Sequence, residues 1–367
     1  MVGRELKLIA DPRMGSPFYA LEEAEAVQVE RLGSFWGCLD PERSGLVAPN
    51  MPVRIDIPKF LIRLGEGWKV TGHRTVLHES GTFLIDRVVD TPNSALFSLD
   101  RETRIRQAGT DFSIADEART FRELPPNTGL ALSTEPSNWG SFLVRILPKA
   151  MKFLALGCDY LLVYAKHPNT VELLCSAGWP ADRIISYQPG VEYGISDALF
   201  MSEPCKNLYL DPEAVRLLRK LNCNFGKDSR RLFISRSSGV AKTRGGRTCI
   251  NTPELENLFR EFEYEIVYPD LLTASEQIQA FSEAAIVAGP SGAGMFNSLF
   301  AGTDVKVLDI ESERDWIYGH SNLFSSLGAH YGFFFGKSNS SMAGPHRPYH
   351  VDVPALRACL DFVERLM

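Results

Sequence analysis

The 367-residue sequence lacks several features that would assign a protein to a class at once. It contains no internal repeat, no low-complexity tract and no apolar run of about 18 residues, so no membrane-spanning helix is expected. It also lacks an excess of positive charge, because 39 Lys and Arg stand against 45 Asp and Glu. A generally basic nucleic-acid-binding protein is therefore not expected. Apolar residues at 44% and charged residues at 23% are typical of a globular protein, and the length favours two domains.

Signatures of disulfides, secretion and metal sites are missing as well. The seven cysteines form no Cys-x-x-Cys pair, which indicates free thiols in a reducing cytoplasm. Charges and a proline stand near the N-terminus where a signal peptide needs an apolar stretch, so we expect a cytoplasmic protein. No Asp-x-Asp occurs, and we predict that neither a metal nor another cofactor is required. Asp309 and Glu311, at the end of a predicted strand, are the suspects if that prediction fails.

The pattern of apolar and polar residues changes along the chain. Residues 50–125 contain short apolar runs separated by Gly, Asp, Asn and Pro, which predicts a strand-rich portion. Residues 141–200 and 231–310 alternate between helical and strand patterns, which favours parallel, doubly wound sheets. The helix predicted over 141–157 should be kinked or restarted at Pro148. We therefore expect an α/β protein with two Rossmann-like domains, 1–205 and 206–367, that face a cleft.

A basic loop follows the predicted strand RLFIS. No acidic residue occurs between Ser229 and Pro253, although the protein is acidic overall. The same stretch contains six basic residues, namely Arg230, Arg231, Arg236, Lys242, Arg244 and Arg247. A basic loop after a strand of a doubly wound domain is placed to hold a phosphorylated ligand. A solvated surface loop is the alternative for any one of these residues.

A second segment, AIVAGPSGAGMFNSLF, leads from a buried strand through Gly289, Gly292 and Gly294 into a helix start. Small residues there let backbone N–H groups approach an anion. The segment fits neither the dinucleotide fingerprint nor the Gly-x-Ser-x-Gly elbow of serine hydrolases. A serine hydrolase remains a remote alternative, with Ser291 as nucleophile and His320 and Asp309 or Asp315 as partners. A tight turn without a ligand is the other alternative.

A third segment, SNWGSFLVRILPK, has the pattern of an amphipathic helix entered from a loop. Arg145, Lys149 and Lys152 fall at helical spacing on one stripe, with apolar residues elsewhere. The stripe is interpreted as the solvent-exposed basic edge of a core helix, with a role at a membrane surface as an alternative.

In this order, the three segments resemble glycosyltransferase family 61 over roughly residues 130–335. FISRS…R…IN is similar to the family's Ser-Arg, spaced Arg and Asn, and SEQIQAFSEAAIVAGPSGAGMFNSLFA to its E-Q-I…I-V-x-G-x-H-G-A-G-x-x-N. NWGSFLVRILPK resembles the family's N-x-G-H-[WF]-L-x-[DE]-x-L-P-R. The resemblance implies a donor-binding set of Ser235, Arg236, Arg247, Asn251, Glu276, Gln277, Gly289, Ser291, Gly292, Ala293, Gly294 and Asn297, and an acceptor side with Asn138, Trp139 and Arg145.

The resemblance also implies a fold and an activity. It implies the GT-B type, in which the C-terminal Rossmann-like domain holds a nucleotide sugar, and inverting transfer of the sugar without a metal. The acceptor would be a surface polysaccharide or a lipid-linked glycan. A cytoplasmic enzyme of this kind would meet a lipid-linked acceptor at the inner membrane face, and no nucleic acid is expected as a partner.

The sequence departs from the family's pattern at three positions. Ser141 stands where the N-terminal motif has His, Arg145 where it has an acid, and Ser291 where His precedes Gly-Ala-Gly. Inverting transfer needs a base for the acceptor hydroxyl. The catalytic candidates are therefore Ser141 itself and the nearby acids Glu135 and Asp159, with Glu192 as a further acid. A catalytically silent nucleotide-sugar-binding relative, acting as a partner protein, is the alternative.

Overall fold

The computed structural model describes residues 5–31, 35–36, 53–89, 103–109, 111–222, 229–236, 248–311, 314–338 and 348–364. Contacts along the chain divide it into two compact units. The first unit comprises Met1–Val29 and Asp56–Lys206, and the second comprises Glu30–Ile55 and Asn207–Met367. The architecture is mixed α/β with a strand-rich N-terminal portion.

The strands of the described residues are numbered in chain order. They are β1 (Glu5–Leu8), β2 (Tyr19–Arg31), β3 (Phe35–Trp36), β4 (Val53–Leu64), β5 (Trp68–Val70), β6 (Thr75–His78), β7 (Thr82–Ile85), β8 (Ile105–Ala108), β9 (Asp111–Ile114), β10 (Thr120–Glu123), β11 (Thr128–Ala131), β12 (Tyr160–Val163), β13 (Ile184–Ser186), β14 (Val191–Ile195), β15 (Ala198–Met201), β16 (Cys205–Lys206), β17 (Tyr209–Leu210), β18 (Arg230–Ile234), β19 (Glu265–Val267), β20 (Ala284–Pro290), β21 (Lys306–Glu311), β22 (His330–Phe335), β23 (Lys337–Ser338) and β24 (Tyr349–His350).

The helices alternate with the later strands. They are α1 (Trp139–Ser141), a π-helical turn (Phe142–Ile146), α2 (Leu147–Ala155), α3 (Pro168–Ser176), α4 (Pro212–Leu218), and the helices Thr252–Glu261, Ala274–Ser282, Arg314–Ser326 and Val353–Glu364. Short 3₁₀ turns span Pro12–Met14, Ala181–Arg183, Arg219–Leu221, Pro269–Leu271 and Met295–Phe300. Among the described residues, no helix is both long and apolar enough to cross a membrane.

A six-stranded sheet of the first unit has the order β13-β12-β11-β15-β4-β2. Strands β11, β12, β13 and β15 are parallel, and β4 runs antiparallel to β15. The chain passes outward from β11 through β12 to β13, and β15 then lies on the opposite side of β11. We call this reversal between β11 and β15 the first switch point. In open α/β sheets, ligands bind at the carboxyl ends of strands at such a reversal.

The segment that contains α1, the π-helical turn and α2 packs closely on this sheet. A Cβ atom at Gly129 of β11 would lie 2.6 Å from the Phe153 ring of α2, so only glycine permits this approach. The predicted restart at Pro148 is confirmed, because the π-helical turn ends at Ile146 and α2 begins with Leu147 and Pro148. Proline is tolerated in the first turn of a helix, where its missing N–H breaks no bond.

The remaining strands of the first unit form a second, mostly antiparallel sheet with the order β10-β14-β5-β6-β7-β1-β9-β8. It accounts for most of the predicted strand-rich portion, although the apolar run Ala95–Leu99 falls outside the described residues. Side chains from both sheets share one core, which includes Phe60, Trp68, Leu130 and Phe200.

The second unit is built on a parallel sheet with the order β19-β18-β20-β21-β22-β3. The chain goes from β18 outward to β19 and then returns to the other side of β18 with β20, so the strand order reverses between β18 and β20. We call this reversal the second switch point. The parallel strands agree with the parallel sheet that the alternating pattern of residues 231–310 favours.

Local signals in the sequence set several helix ends. Asp211 caps α4, and its Oδ1 accepts a hydrogen bond of 2.9 Å from Ala214 N–H. Thr273 and Glu276 form the predicted capping box. The predicted cap at Thr252 is displaced by one residue: Asn251 occupies the N-cap position, and the Thr252 hydroxyl donates to Cys249 O at 2.7 Å.

Candidate active site

The second switch point brings together the two donor-side segments that the sequence singles out. Arg236 follows β18, and the glycine-rich loop follows β20. The Arg236 guanidinium donates to Ser291 O at 3.2 Å. A Cβ atom at Gly292 would lie 3.3 Å from Arg236 Nη1, and Gly292 has a φ of +144°, a conformation that favours glycine. The arginine therefore lies directly over the loop backbone.

Two other glycines hold this loop against β18. A Cβ atom at Gly289 would lie 2.6 Å from Ile234 O, and one at Gly294 would lie 3.2 Å from the Ile234 side chain. Within the described ranges, no residue accepts a hydrogen bond from the N–H of Gly292, Ala293 or Gly294. Three such N–H groups beside a guanidinium form an arrangement that can bind an anion.

Ser291 belongs to a buried polar cluster at the ends of β20 and β21. Its Oγ lies 2.9 Å from His320 Nδ1, and the same nitrogen lies 2.6 Å from Asp309 Oδ2. Tyr331 donates to Asp309 Oδ2 at 3.0 Å, and burial together with the Asp309 carboxylate raises the pKa of Tyr331 well above its usual value.

The cluster contains the residues of the serine-hydrolase alternative but not its geometry. A catalytic triad needs the serine on one ring nitrogen of the histidine and the acid on the other. Here Ser291 and Asp309 both contact Nδ1 of His320. One ring nitrogen thus serves both residues, so Asp309 does not hold the ring with its other nitrogen facing Ser291. This arrangement fixes the ring rather than activating the serine.

Several other donor-side candidates have side chains committed to hydrogen bonds inside the second unit. The Ser235 hydroxyl donates to Glu256 at 2.6 Å. Asn251 donates to Val351 O at 2.9 Å and accepts from Val351 N at 3.0 Å. These bonds shape the end of β18 and the start of the following helix, so both residues support the switch point.

The same holds for the motif residues on helix Ala274–Ser282 and the turn after β20. Glu276 accepts from the backbone N–H of Thr273 at 2.8 Å as part of the capping box. Buried Asn297 donates to Gln277 at 2.8 Å, and Gln277 donates to Pro269 O at 3.0 Å. These contacts tie the turn Met295–Phe300 to its neighbours and so keep the glycine loop in place.

The remaining basic residues of the predicted loop divide into two groups. Arg230 lies within β18 and forms an ion pair with Glu265 at 2.6 Å, and Arg231 donates to Phe262 O at 3.2 Å. Arg247, together with Lys242 and Arg244, lies outside the described residues. Of the six, Arg236 is the one that the structure places at the glycine loop.

The first switch point brings together acceptor-side candidates. Asn138 caps α1 by accepting from Ser141 N–H at 3.2 Å, and the buried Ser141 hydroxyl donates to Thr134 O at 3.0 Å. Arg145 donates to the Thr134 hydroxyl at 2.8 Å and to the Ser141 hydroxyl at 3.2 Å. The half-buried Trp139 ring stacks on Phe142 with ring centres 5.7 Å apart.

The three acidic candidates occupy three different places. Glu135 is exposed beyond the carboxyl end of β11, 3.7 Å from Arg145. Asp159 precedes β12 and accepts from Asn127 at 2.9 Å, at the amino ends of the same parallel strands. Glu192 lies in the other sheet, where contacts with Lys69 and other donors outweigh burial and lower its pKa. Only Glu135 shares an edge with Ser141.

The prediction that the basic stripe of this helix is solvent-exposed is wrong for Lys149. Its side chain is fully buried and donates to Asp86 at 2.7 Å and to Leu132 O at 2.6 Å. Asp86, which Lys149 contacts, and Arg74 and Glu203, which contact Asp86, were not predicted as site residues. The signal available for Asp86 was its position directly after the apolar strand β7.

Within the described part of the chain, no three His, Cys, Asp or Glu side chains form a group that could hold a metal ion. A comparison with curated proteins gives no match. The family model for Glycosyltransferase 61 matches residues 139–308, a range that contains both Arg145 and Arg236. Over this range, the match supports the assignment to glycosyltransferase family 61 that the motifs indicated.

Proposed function

We propose that the chain is an inverting, metal-independent glycosyltransferase of the GT-B type. It moves a sugar from a nucleotide-sugar donor to a polysaccharide or lipid-linked acceptor. The family assignment supports sugar transfer. The observation that carries the donor side is the position of Arg236 over the glycine loop at the second switch point.

The donor diphosphate binds between the Arg236 guanidinium and the N–H groups of Gly292, Ala293 and Gly294. Arginine stays charged at all relevant pH values and can contact two phosphate oxygens at once. As the bond to the sugar breaks, negative charge develops on the diphosphate, and fixed donors stabilise it without a metal. Arg247, which follows Arg236 in the sequence and lies outside the described residues, is proposed as a second phosphate ligand.

Glu135 is the proposed base for the acceptor hydroxyl. It is an exposed carboxylate at the carboxyl edge of β11, near the capping residue Asn138 and the half-buried ring of Trp139, which can stack on a sugar. Ser141 already donates to Thr134 O and has no nitrogen base beside it among the described residues. We propose that it positions the helix rather than taking the proton. The protein is expected to act in the cytoplasm, meeting lipid-linked acceptors at the inner membrane face.

Calorimetry with a panel of nucleoside diphosphates tests the donor site. Arg236→Ala should weaken binding about ten- to a hundredfold, since one charge-assisted hydrogen bond contributes roughly 1.5–3 kcal/mol. Arg216→Ala is the control, because Arg216 is an exposed arginine of the same unit. Equal affinity of the Arg236→Ala variant and the wild type would remove Arg236 from the site.

An assay for nucleoside diphosphate release from nucleotide sugars separates the active enzyme from a catalytically silent relative. Turnover that persists in EDTA is expected. Loss of turnover in EDTA with recovery in Mg²⁺ or Mn²⁺ would contradict metal independence and direct attention to Asp309 and Glu311.

A further inference from the structure

A groove runs along the edge of the second unit's sheet, between β19 and helix Ala274–Ser282. β19 is the last strand on its side of the sheet, and β18 is its one neighbour among the described strands. The turn between β19 and the helix lines the groove with Tyr268, Leu271 and Leu272. The groove has a volume of about 420 Å³, which is in the range of sites that hold small molecules.

The outer side of β19 offers the groove one pair of main-chain hydrogen-bonding groups. Val267 O accepts from Ser235 N–H at 2.8 Å, so the main-chain groups of Val267 face β18. Successive residues of a strand direct these groups to opposite sides, so the N–H and C=O of Ile266 face away from β18. Ile266 lines the groove, and within the described ranges no residue bonds to these two groups.

The shortness of β19 favours a small ligand over a second polypeptide strand. β19 has three residues, and the carbonyl of Tyr268 just beyond it already accepts from Leu271 N–H at 3.0 Å. An added strand bonds through a longer row of main-chain groups. One donor beside one acceptor instead matches the edge of a planar heterocycle.

Apolar surface borders this donor and acceptor. The Leu271 side chain is 63% exposed, although it is a large apolar group. It lines the groove together with Leu272 and the half-buried ring of Tyr268. Such side chains can pack against the face of a flat ring while the main chain bonds to its edge.

The turn that lines the groove also touches the glycine loop. A Cβ atom at Gly294 would lie 3.7 Å from Pro269 Cγ. Buried Gln277 holds the turn in place by donating to Pro269 O at 3.0 Å and to Leu272 O at 3.2 Å. The groove and the loop therefore adjoin through one fixed turn, as the two ends of a nucleotide require.

We propose that this groove binds the base of the donor nucleotide. The edge of the base bonds to the N–H and C=O of Ile266, and its face packs against Leu271. The proposal rests on the proposed function, because it takes the glycine loop as the site of the phosphates. Nucleobases carry donors and acceptors along their edges and have faces that stack on apolar side chains. The groove then makes a nucleoside diphosphate bind more tightly than a diphosphate without a base.

Calorimetry with the full chain and two kinds of probe tests this site. The diphosphates of uridine, cytidine, adenosine and guanosine carry a base, whereas inorganic pyrophosphate has none. At least one nucleoside diphosphate should bind the wild type about tenfold more tightly than pyrophosphate, because it adds a hydrogen-bonded and an apolar contact.

Ile266→Pro removes the outward N–H without removing a hydrogen bond of the sheet, since proline is tolerated on an edge strand where its nitrogen faces away from the neighbour. Ile266→Ala is the matched control, because it loses the same side chain but keeps the N–H. The proline variant should bind the nucleoside diphosphate about fivefold more weakly than the alanine variant. The two variants should bind pyrophosphate equally.

Leu271→Asn keeps the test decisive if Ile266→Pro does not fold. The change is at an exposed position, and it should weaken binding of the nucleoside diphosphate but not of pyrophosphate. Leu156→Asn, at an exposed leucine of the first unit, should leave both affinities at the wild-type value.

Arg236→Ala distinguishes failure of this proposal from failure of the donor site. It should weaken both kinds of probe, because it acts on the phosphates. Weaker binding in Arg236→Ala alone, with wild-type affinity in Leu271→Asn and equal affinities in the two Ile266 variants, would overturn the base site and favour an extended peptide in the groove. Weaker binding in Leu271→Asn but not in Arg236→Ala would keep the base site and overturn the phosphate site. A wild type that binds no nucleoside diphosphate would overturn both.

Discussion

Both switch points are reversals of strand order between parallel strands, but they carry their positive charge differently. At the second, main-chain N–H groups of a glycine loop lie under one exposed arginine, Arg236. At the first, the charge is in buried side chains paired with Asp86 and Glu203. The comparison teaches that the same position in a sheet can be built around a close approach of the backbone or around buried pairs of charged side chains. The stability of the protein should depend on charge at the first and on backbone space at the second.

The largest expected effect is on stability and comes from Asp86→Asn. The change leaves Arg74 and Lys149 buried without their shared carboxylate, and losing one partner of a buried ion pair costs about 3–5 kcal/mol. Urea denaturation would measure the free energy of unfolding. Arg236→Ala, at the exposed second switch point, should change it by no more than about 0.5 kcal/mol. Similar losses of stability in both variants would contradict the difference between the two switch points.

The stability that the Asp86 carboxylate contributes should also depend on pH. Burial opposes ionisation of Asp86, but Arg74 and Lys149 outweigh it and lower the pKa of the carboxyl group. A carboxyl group whose pKa is lower in the folded protein stabilises it at any pH above the pKa of the unfolded chain, which is about 3.9. That stabilisation is lost as the pH falls through the lower pKa of the folded protein. The difference between wild type and Asp86→Asn should therefore shrink in acid.

A smaller effect is expected from Gly289→Ala at the second switch point. The new Cβ would lie 2.6 Å from Ile234 O, so the loop must move away from β18. Such overpacking costs about 1–3 kcal/mol, and the displaced loop should also bind nucleotide more weakly. Gly65→Ala is the control, because nothing lies within 4 Å of its Cβ position. Nucleotide affinity that stays at the wild-type value would show that the loop backbone does not contact the donor.

Local patterns predicted the strands, the capping box at Thr273 and the restart of the helix at Pro148. The resemblance placed Arg236 and the glycine loop in one donor-binding set, and both follow parallel strands of one sheet. The environment of Lys149 could not be predicted in this way. Its partner Asp86 is 63 positions away in the sequence, on a strand of the other sheet of the first unit, and helical spacing alone indicated an exposed stripe. Motif spacing also did not distinguish a side chain that lies over the glycine loop, such as that of Arg236, from one held in hydrogen bonds away from it, such as that of Asn251.

The smallest expected effect on stability concerns two carboxylates, which their positions in the sequence made equal candidates for the catalytic base. Asp159 accepts from Asn127 at the amino ends of β11 and β12, whereas Glu135 follows the carboxyl end of β11. A four-residue strand is roughly 13 Å long, so the two acids cannot serve one reacting hydroxyl.

Glu135→Gln should leave stability within about 0.5 kcal/mol of the wild type but lower turnover about a hundredfold or more, as expected for loss of a general base. Asp159→Asn should leave turnover at the wild-type rate, because its amide can still accept from Asn127. Nucleoside diphosphate release compares the two variants under saturating donor. The reverse result, with turnover lost only in Asp159→Asn, would move the reaction to the opposite edge of the sheet and remove the first switch point from catalysis.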